Sequence, residues 1–466
     1  MKAILNQSLI AAAVCAATFA QAQTAVRPTA EQLYQQGARF NSPAWAVPYR
    51  DTLSREQRLA GLAQVWSETK YNFAYFDKVP HLDWDSLYIA YIPKVLKTAS
   101  TEQYYQTLEE MMAQLNDGHT WVIPPSVIRE RRGKPGIQTA LIEGKAMVVG
   151  LKDLNLTRLG IRPGLEITKV NGEDVHAYVN RAVRPYISSS TEQNRRMFSY
   201  DYAFLLGNKA DSVRLTFDDG SGKSFTRTLP NRNTSQMNET SMGNRRDFDF
   251  RWYGDQVAYV SLTYFDDRSI VTKFDSIYPQ LKKAKAVILD VRQNGGGNSA
   301  NGWDILARFT NRDFPMGKWE TREYKPAHRS WGHEKLGWTG DKYIYNITRK
   351  DSTDFISVPL VILAGAKTNS AAEDFLSAFV QMQRGLIVGE PTSGSTGNPL
   401  FVNLPGGGAA IICTKRDTFY NGTEWVGKGI QPNIPVSQTI KDLRSNKDTV
   451  LEHALQLVKN QLRAAK

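Results

Sequence analysis

Between residues 245 and 440, four short runs rich in valine, isoleucine and leucine recur at 257–262, 286–291, 358–364 and 386–388, and helical stretches follow several of them. Strands that read as continuous apolar runs need cover on both faces. Alternation of such strands with helices holds the chain to an α/β fold around a largely buried sheet. With 466 residues, 41% hydrophobic and 22% charged, the chain is of the ordinary soluble globular class. At roughly 100–200 residues per domain it has room for about two to four domains. The net charge of +12 is spread in short clusters such as Arg129-Glu130-Arg131-Arg132. Without a patch or a recognition motif, that charge predicts no nucleic-acid partner.

The rest of the chain divides by pattern. Residues 1–22 read as a signal peptide: Lys2, an apolar run from Leu9 to Ala20, then the small-x-small site Ala20-Gln21-Ala22. Export to the periplasm or the exterior is the expectation. Cys15 lies in this leader, which leaves Cys413 without an internal disulfide partner and gives no cysteine-based zinc site. No later segment is apolar enough to cross a membrane, so no stable insertion is expected. Residues 23–52 form a polar lead-in. Residues 53–132 read as a helical domain, with capping boxes at Ser54/Gln57 and Ser100/Gln103 and a stop at Asn116-Asp117-Gly118. Residues 133–232 change to strands and turns. Residues 441–466 supply a last helix.

Three segments could carry chemistry. Thr368-Asn369-Ser370-Ala371-Ala372-Glu373 follows a buried strand and opens a helix, so Ser370 sits at the sheet's carboxyl edge with the free Ala371 N–H beside it. Taken alone, Ser370-x-x-Glu373 reads more readily as a capping box than as a nucleophile. Asp290-Val291-Arg292-Gln293-Asn294-Gly295-Gly296-Gly297 ends another strand in three glycines, whose amides can face a developing negative charge. Among six histidines, His119 stands apart, at a junction between the helical and β regions where clefts form. A lone histidine is more often a surface or satisfied core residue than a base.

In 133–232 the turn Gly160-Ile161-Arg162-Pro163-Gly164 precedes a short strand and the turn Asn171-Gly172, an order that resembles a PDZ domain. Such domains bind peptide C-termini by strand addition. The ordered set as a whole resembles the tail-specific, or C-terminal-processing, serine peptidases, in the Asp-Gly-His-Thr subgroup similar to the tricorn protease core and the retinoid-binding-protein repeats. Its parts are Asp117-Gly118-His119-Thr120, the PDZ-like turns, the 290–297 glycine loop, Asn369 to Glu373, Val388-Gly389-Glu390-Pro391-Thr392 and Gly429-Ile430-Gln431-Pro432-Asn433.

The resemblance implies a multi-domain α/β protein: an N-terminal helical unit, a PDZ-like β domain and an α/β peptidase core of the ClpP/crotonase type. Ser370 would be the nucleophile, His119 the base, and the Ala371 and Gly296 amides the oxyanion hole. The substrate would be a protein or peptide, no metal or other cofactor would be needed, and a homo-oligomer is allowed. Two departures stand out. The slot where many members carry a catalytic lysine holds Ser395, which implies the histidine route. Neither a serine before the histidine nor the late glutamate is in place, so Asp117, Ser395 and Glu424 remain candidates for orienting His119. The alternatives are a non-catalytic protein on the same scaffold that binds a peptide or an apolar ligand, and a hydrolase of small esters or amides.

Overall fold

The computed structural model describes residues 45–232, 248–254, 256–333, 337–340, 346–347 and 353–464. The expected leader and most of the lead-in lie outside them. Helices α1 (Arg55–Asn72), α2 (Trp84–Lys97) and α3 (Thr101–Ala113) form the first unit. Ser54 and Gln57 close the expected reciprocal box on α1. At α3, Ser100 caps the Gln103 N–H, but the Gln103 side chain accepts from Ala99 N–H (2.8 Å) rather than completing the box. After β1 (Trp121–Ile123), strands β2 (Ile137–Ile142), β3 (Lys145–Leu151), β4 (Glu166–Val170), β5 (Ser212–Asp218) and β6 (Ser224–Pro230) make an antiparallel sheet in the order β2-β3-β4-β5-β6. Val170 pairs with Glu173 across Asn171 and Gly172, both at positive φ, so the two-residue turn reads as the sequence predicts.

The second sheet contains β7 (Phe248–Tyr253), β8 (Val257–Leu262), β9 (Ala286–Asp290), β10 (Leu360–Ala364) and, after helix α4 (Ala371–Met382), β11 (Leu386–Gly389). Strands β12 (Leu400–Leu404) and β13 (Gly408–Ile412) belong elsewhere, and β14 (Ile434–Pro435) returns to close this sheet in the order β7-β8-β9-β10-β11-β14. Only β7 is antiparallel to its neighbour. Every residue of β9 and β10 is buried, which explains the absence of a polar alternation. Val287, Leu289 and Ile362 join a core with Phe274 and Phe375, whereas Ile288, Val361 and Leu363 face helix α5 (Thr449–Ala464) through Ala454 and Val458. That first core runs without a break into Leu62, Leu108 and Met112 of the helical unit.

A small sheet, β1-β13-β12, ties the start of the chain to its end, with Trp121 opposite Ile411 and Ile411 opposite Phe401. The Asp117–Thr120 box is carried to the core by this pairing. No helix among the described residues is long and apolar enough to cross a membrane. Leu289 lies at the centre of the parallel sheet with no exposed surface. Leu289→Ala should cost about 2–5 kcal/mol of unfolding free energy in urea titration. A loss below about 1 kcal/mol would contradict a close-packed central strand.

Candidate active site

Strands β9 and β10 are parallel neighbours, with Asp290 opposite Leu363, so the loops that leave their carboxyl ends lie side by side. Thr368 Oγ1 donates to Val291 O (2.9 Å) and accepts the Gly365 N–H (3.1 Å). Asn369 N–H donates to Asn294 O (3.0 Å). These bonds turn the chain so sharply that Ser370 adopts φ 56°, ψ −126° before α4 begins. A non-glycine residue at such φ is strained, at about 1–3 kcal/mol, and the strain persists only where neighbours over-determine it. Across the expected capping box, Glu373 accepts the Ser370 N–H (3.2 Å) and the Glu373 N–H bonds to the Ser370 carbonyl (2.7 Å). The Ala371 N–H, first of the helix, has no hydrogen bond among the described residues.

Gly296 stands beside this turn at φ 111°. A Cβ there would lie 2.7 Å from Ser370 Cβ and 3.2 Å from Ala371 N. Only glycine leaves the space open. Its N–H is engaged by Asn294 Oδ1 (2.9 Å), so it is not the free donor the sequence predicts.

His119 is buried, at 6% exposure. Its Nδ1 meets Ser395 Oγ at 2.7 Å. The ring makes no hydrogen bond to Ser370; Ser395 joins the two instead, because its carbonyl accepts the Ser370 N–H at 3.1 Å. Gly118 permits this contact, since a Cβ there would sit 2.6 Å from Ser395 Oγ. Burial, then the nearby Lys415 charge, pushes the His119 pKa down to about 4, so the ring is neutral at pH 7. Asp117 bonds to the loop rather than the ring: its carboxylate accepts from His119 N–H (2.9 Å), Thr120 Oγ1 (2.7 Å) and Ser190 Oγ (3.2 Å). Glu424 is turned to Lys78 and Arg416 and does not contact His119. Of the three candidates for orienting the ring, Ser395 alone touches it.

The residue that sequence reasoning undervalued is Glu373. It is fully buried, and its carboxylate accepts from Thr392 Oγ1, Gly394 N–H (2.7 Å), Ser395 N–H (3.1 Å) and Ser370 N–H (3.2 Å). Burial pushes its pKa up to about 8 against the pull of these donors. Three of its partners are backbone amides that can only donate, and they favour the ionised group against the rise that burial causes. The capping pattern pointed to this residue but not to its second set of partners, which lie on another loop. No cluster of histidine, cysteine and acidic side chains suited to a metal occurs among the described residues.

Residues 256–436 match Peptidase family S41. A carboxyl-terminal-processing protease of Picosynechococcus sp. is 24% identical over 368 residues, 77% of this chain and 78% of that protein. A tricorn protease homolog of Streptomyces coelicolor is 21% identical over 398 residues, 81% of this chain; the chain spans only 30% of that protein's length. The solved structure of mature CPAF complexed with lactacystin superposes with a TM-score of 0.69 at 14% identity, covering 88% of this chain and 98% of that one. That likeness extends the shared fold well beyond the matched family region.

Two measurements check this geometry. Ser370→Gly should be about 1 kcal/mol more stable than Ser370→Ala in urea unfolding, since glycine accepts positive φ; equal stabilities would contradict the strain. His119 should titrate by imidazole NMR near pH 4 rather than the ordinary 6.5. Its lowered value means a stability contribution complete above pH 6.5 and lost as pH falls from there through about 4. A midpoint near 6.5 would contradict the buried, neutral ring.

Proposed function

We propose, for a chain that belongs to peptidase family S41 through residues 256–436, that Ser370 attacks the scissile carbonyl and His119 is its general base. The chain is a serine-type peptidase of the carboxyl-terminal-processing class. The observation that carries the residue assignment is the double contact of Ser395, its hydroxyl on His119 Nδ1 at 2.7 Å and its carbonyl on the Ser370 N–H at 3.1 Å. A ring that donates Nδ1–H to Ser395 Oγ has an unprotonated Nε2, the tautomer a base needs. Nε2 would take the Ser370 proton as the acyl bond forms and return it to the leaving amine. Catalytic hydrogen bonds are often loose without substrate, and a closing movement would bring ring and hydroxyl together.

The developing oxyanion would be met by the Ala371 N–H at the positive end of α4. Gly296 would contribute the space for the substrate carbonyl, and could donate only by parting from Asn294. The antiparallel unit of residues 133–232 would act as a PDZ-like domain that holds a substrate tail, beside a core of the ClpP/crotonase type. The leader at 1–22 would send the protein to the periplasm or outside the cell, where unfolded or tail-exposed proteins would be its substrates. A fluorophosphonate probe tests the assignment. Label should be incorporated at Ser370, vanish in Ser370→Ala and slow by at least about 10²-fold in His119→Ala, in parallel with casein cleavage. Cleavage that survives in Ser370→Ala would overturn it.

A further inference from the structure

The two halves of the site come from loops far apart in sequence, and one short segment bonds to both. Residues 188–195 include four consecutive hydroxyl residues, Ser188-Ser189-Ser190-Thr191. Ser189, Thr191 and Asn194 in it are buried, although such residues mostly lie at surfaces. At one end the segment grips the His119 loop. Ser188 Oγ donates to Asp117 O (2.7 Å) and accepts its N–H (3.2 Å), and Ser190 Oγ accepts the Gly118 N–H (3.0 Å). At the other end it grips the loops around Ser370. Thr191 Oγ1 donates to Ser393 O (2.7 Å), Gln193 Nε2 to Thr392 O (3.0 Å) and Asn194 Nδ2 to Ala366 O (3.3 Å). The approach is close: a Cβ on Gly394 would lie 2.5 Å from Thr191 Cγ2. Ser189 Oγ stiffens the middle by bonding to Asn194 Oδ1 (2.7 Å).

We propose that residues 188–195 are a strap that fixes the separation of His119 and Ser370, with Ser190 and Thr191 as positioning residues at its two ends. This rests on the serine-peptidase reading above. Loop carbonyls and amides outside regular structure must find partners when buried, and here one segment supplies them to both loops at once. A misplacement of about 1 Å between reacting groups can cost about 10²-fold in rate, so a tie that touches neither reacting atom still governs turnover.

The strap makes a prediction that independent local packing does not. Cutting either end of one tie removes the same restraint, so the second cut adds nothing. In the full chain, Ser190→Ala and Thr191→Val should each slow fluorophosphonate labelling of Ser370 by about 10- to 100-fold. Thr191→Ser should label within about threefold of wild type, and the double variant should be no slower than the slower single. If Thr191→Val does not unfold cooperatively, Gln193→Ala replaces it, because that side chain is only half-buried, whereas Thr191 also caps the helix Glu192–Met197 by accepting the Asn194 N–H. Wild-type labelling rates in either single, or deficits that multiply in the double, would overturn the strap. A wild-type chain that takes no label at Ser370 would instead overturn the serine-peptidase reading, and the strap with it.

Discussion

A carboxylate with no exposure must find hydrogen-bond donors or destabilise the fold that buries it. Glu373 finds four, and they are divided between the turn that carries Ser370 and the 392–395 loop that carries Ser395. The rest of the site follows from that requirement. Because the loop must approach α4 to satisfy Glu373, the Ser395 carbonyl reaches the Ser370 N–H and the Ser395 hydroxyl reaches the His119 ring. The carboxylate therefore fixes the backbone around Ser370 and Ser395 through their amides.

Side chains are missing where loops crowd together. Gly296 leaves room beside Ser370 and Ala371 N, and Gly118 leaves room for the Ser395 hydroxyl. Ser370 does the opposite and keeps a side chain at a backbone angle that disfavours one. Strain at that residue, glycine at 296 and buried donors around Glu373 come together at the amino end of α4.

Much of this was legible before any coordinates. The apolar runs at 257–262 and 286–291 became central strands because no other arrangement covers both their faces, and Asn171-Gly172 became a two-residue turn because its φ values demand it. Ser370 and His119 stand out by their places after a strand and after a turn, and it is the resemblance that implies catalytic roles for them. What the sequence concealed was pairing across long separations. Glu373 looked like a local cap, and its partners at 392–395 could not be inferred from spacing. Glu424 looked like a candidate until Lys78 and Arg416 claimed it. Gly296 looked like a donor, but Asn294, two residues earlier, took its amide. The hydroxyl-rich run at 188–191 gave a signal that only burial made meaningful.

The central claim is that His119 and Ser370 work as a pair held by Ser395. A crystal structure of the protein inactivated by a peptidyl fluorophosphonate tests it most directly. The account predicts phosphorus on Ser370 Oγ and the phosphoryl oxygen on the Ala371 N–H. It also predicts His119 Nε2 within about 2.6–3.2 Å of the Ser370 oxygen, with Nδ1 still on Ser395. An adduct on another residue, or a ring whose Nε2 points away from Ser370 while the adduct is fully formed, would contradict it.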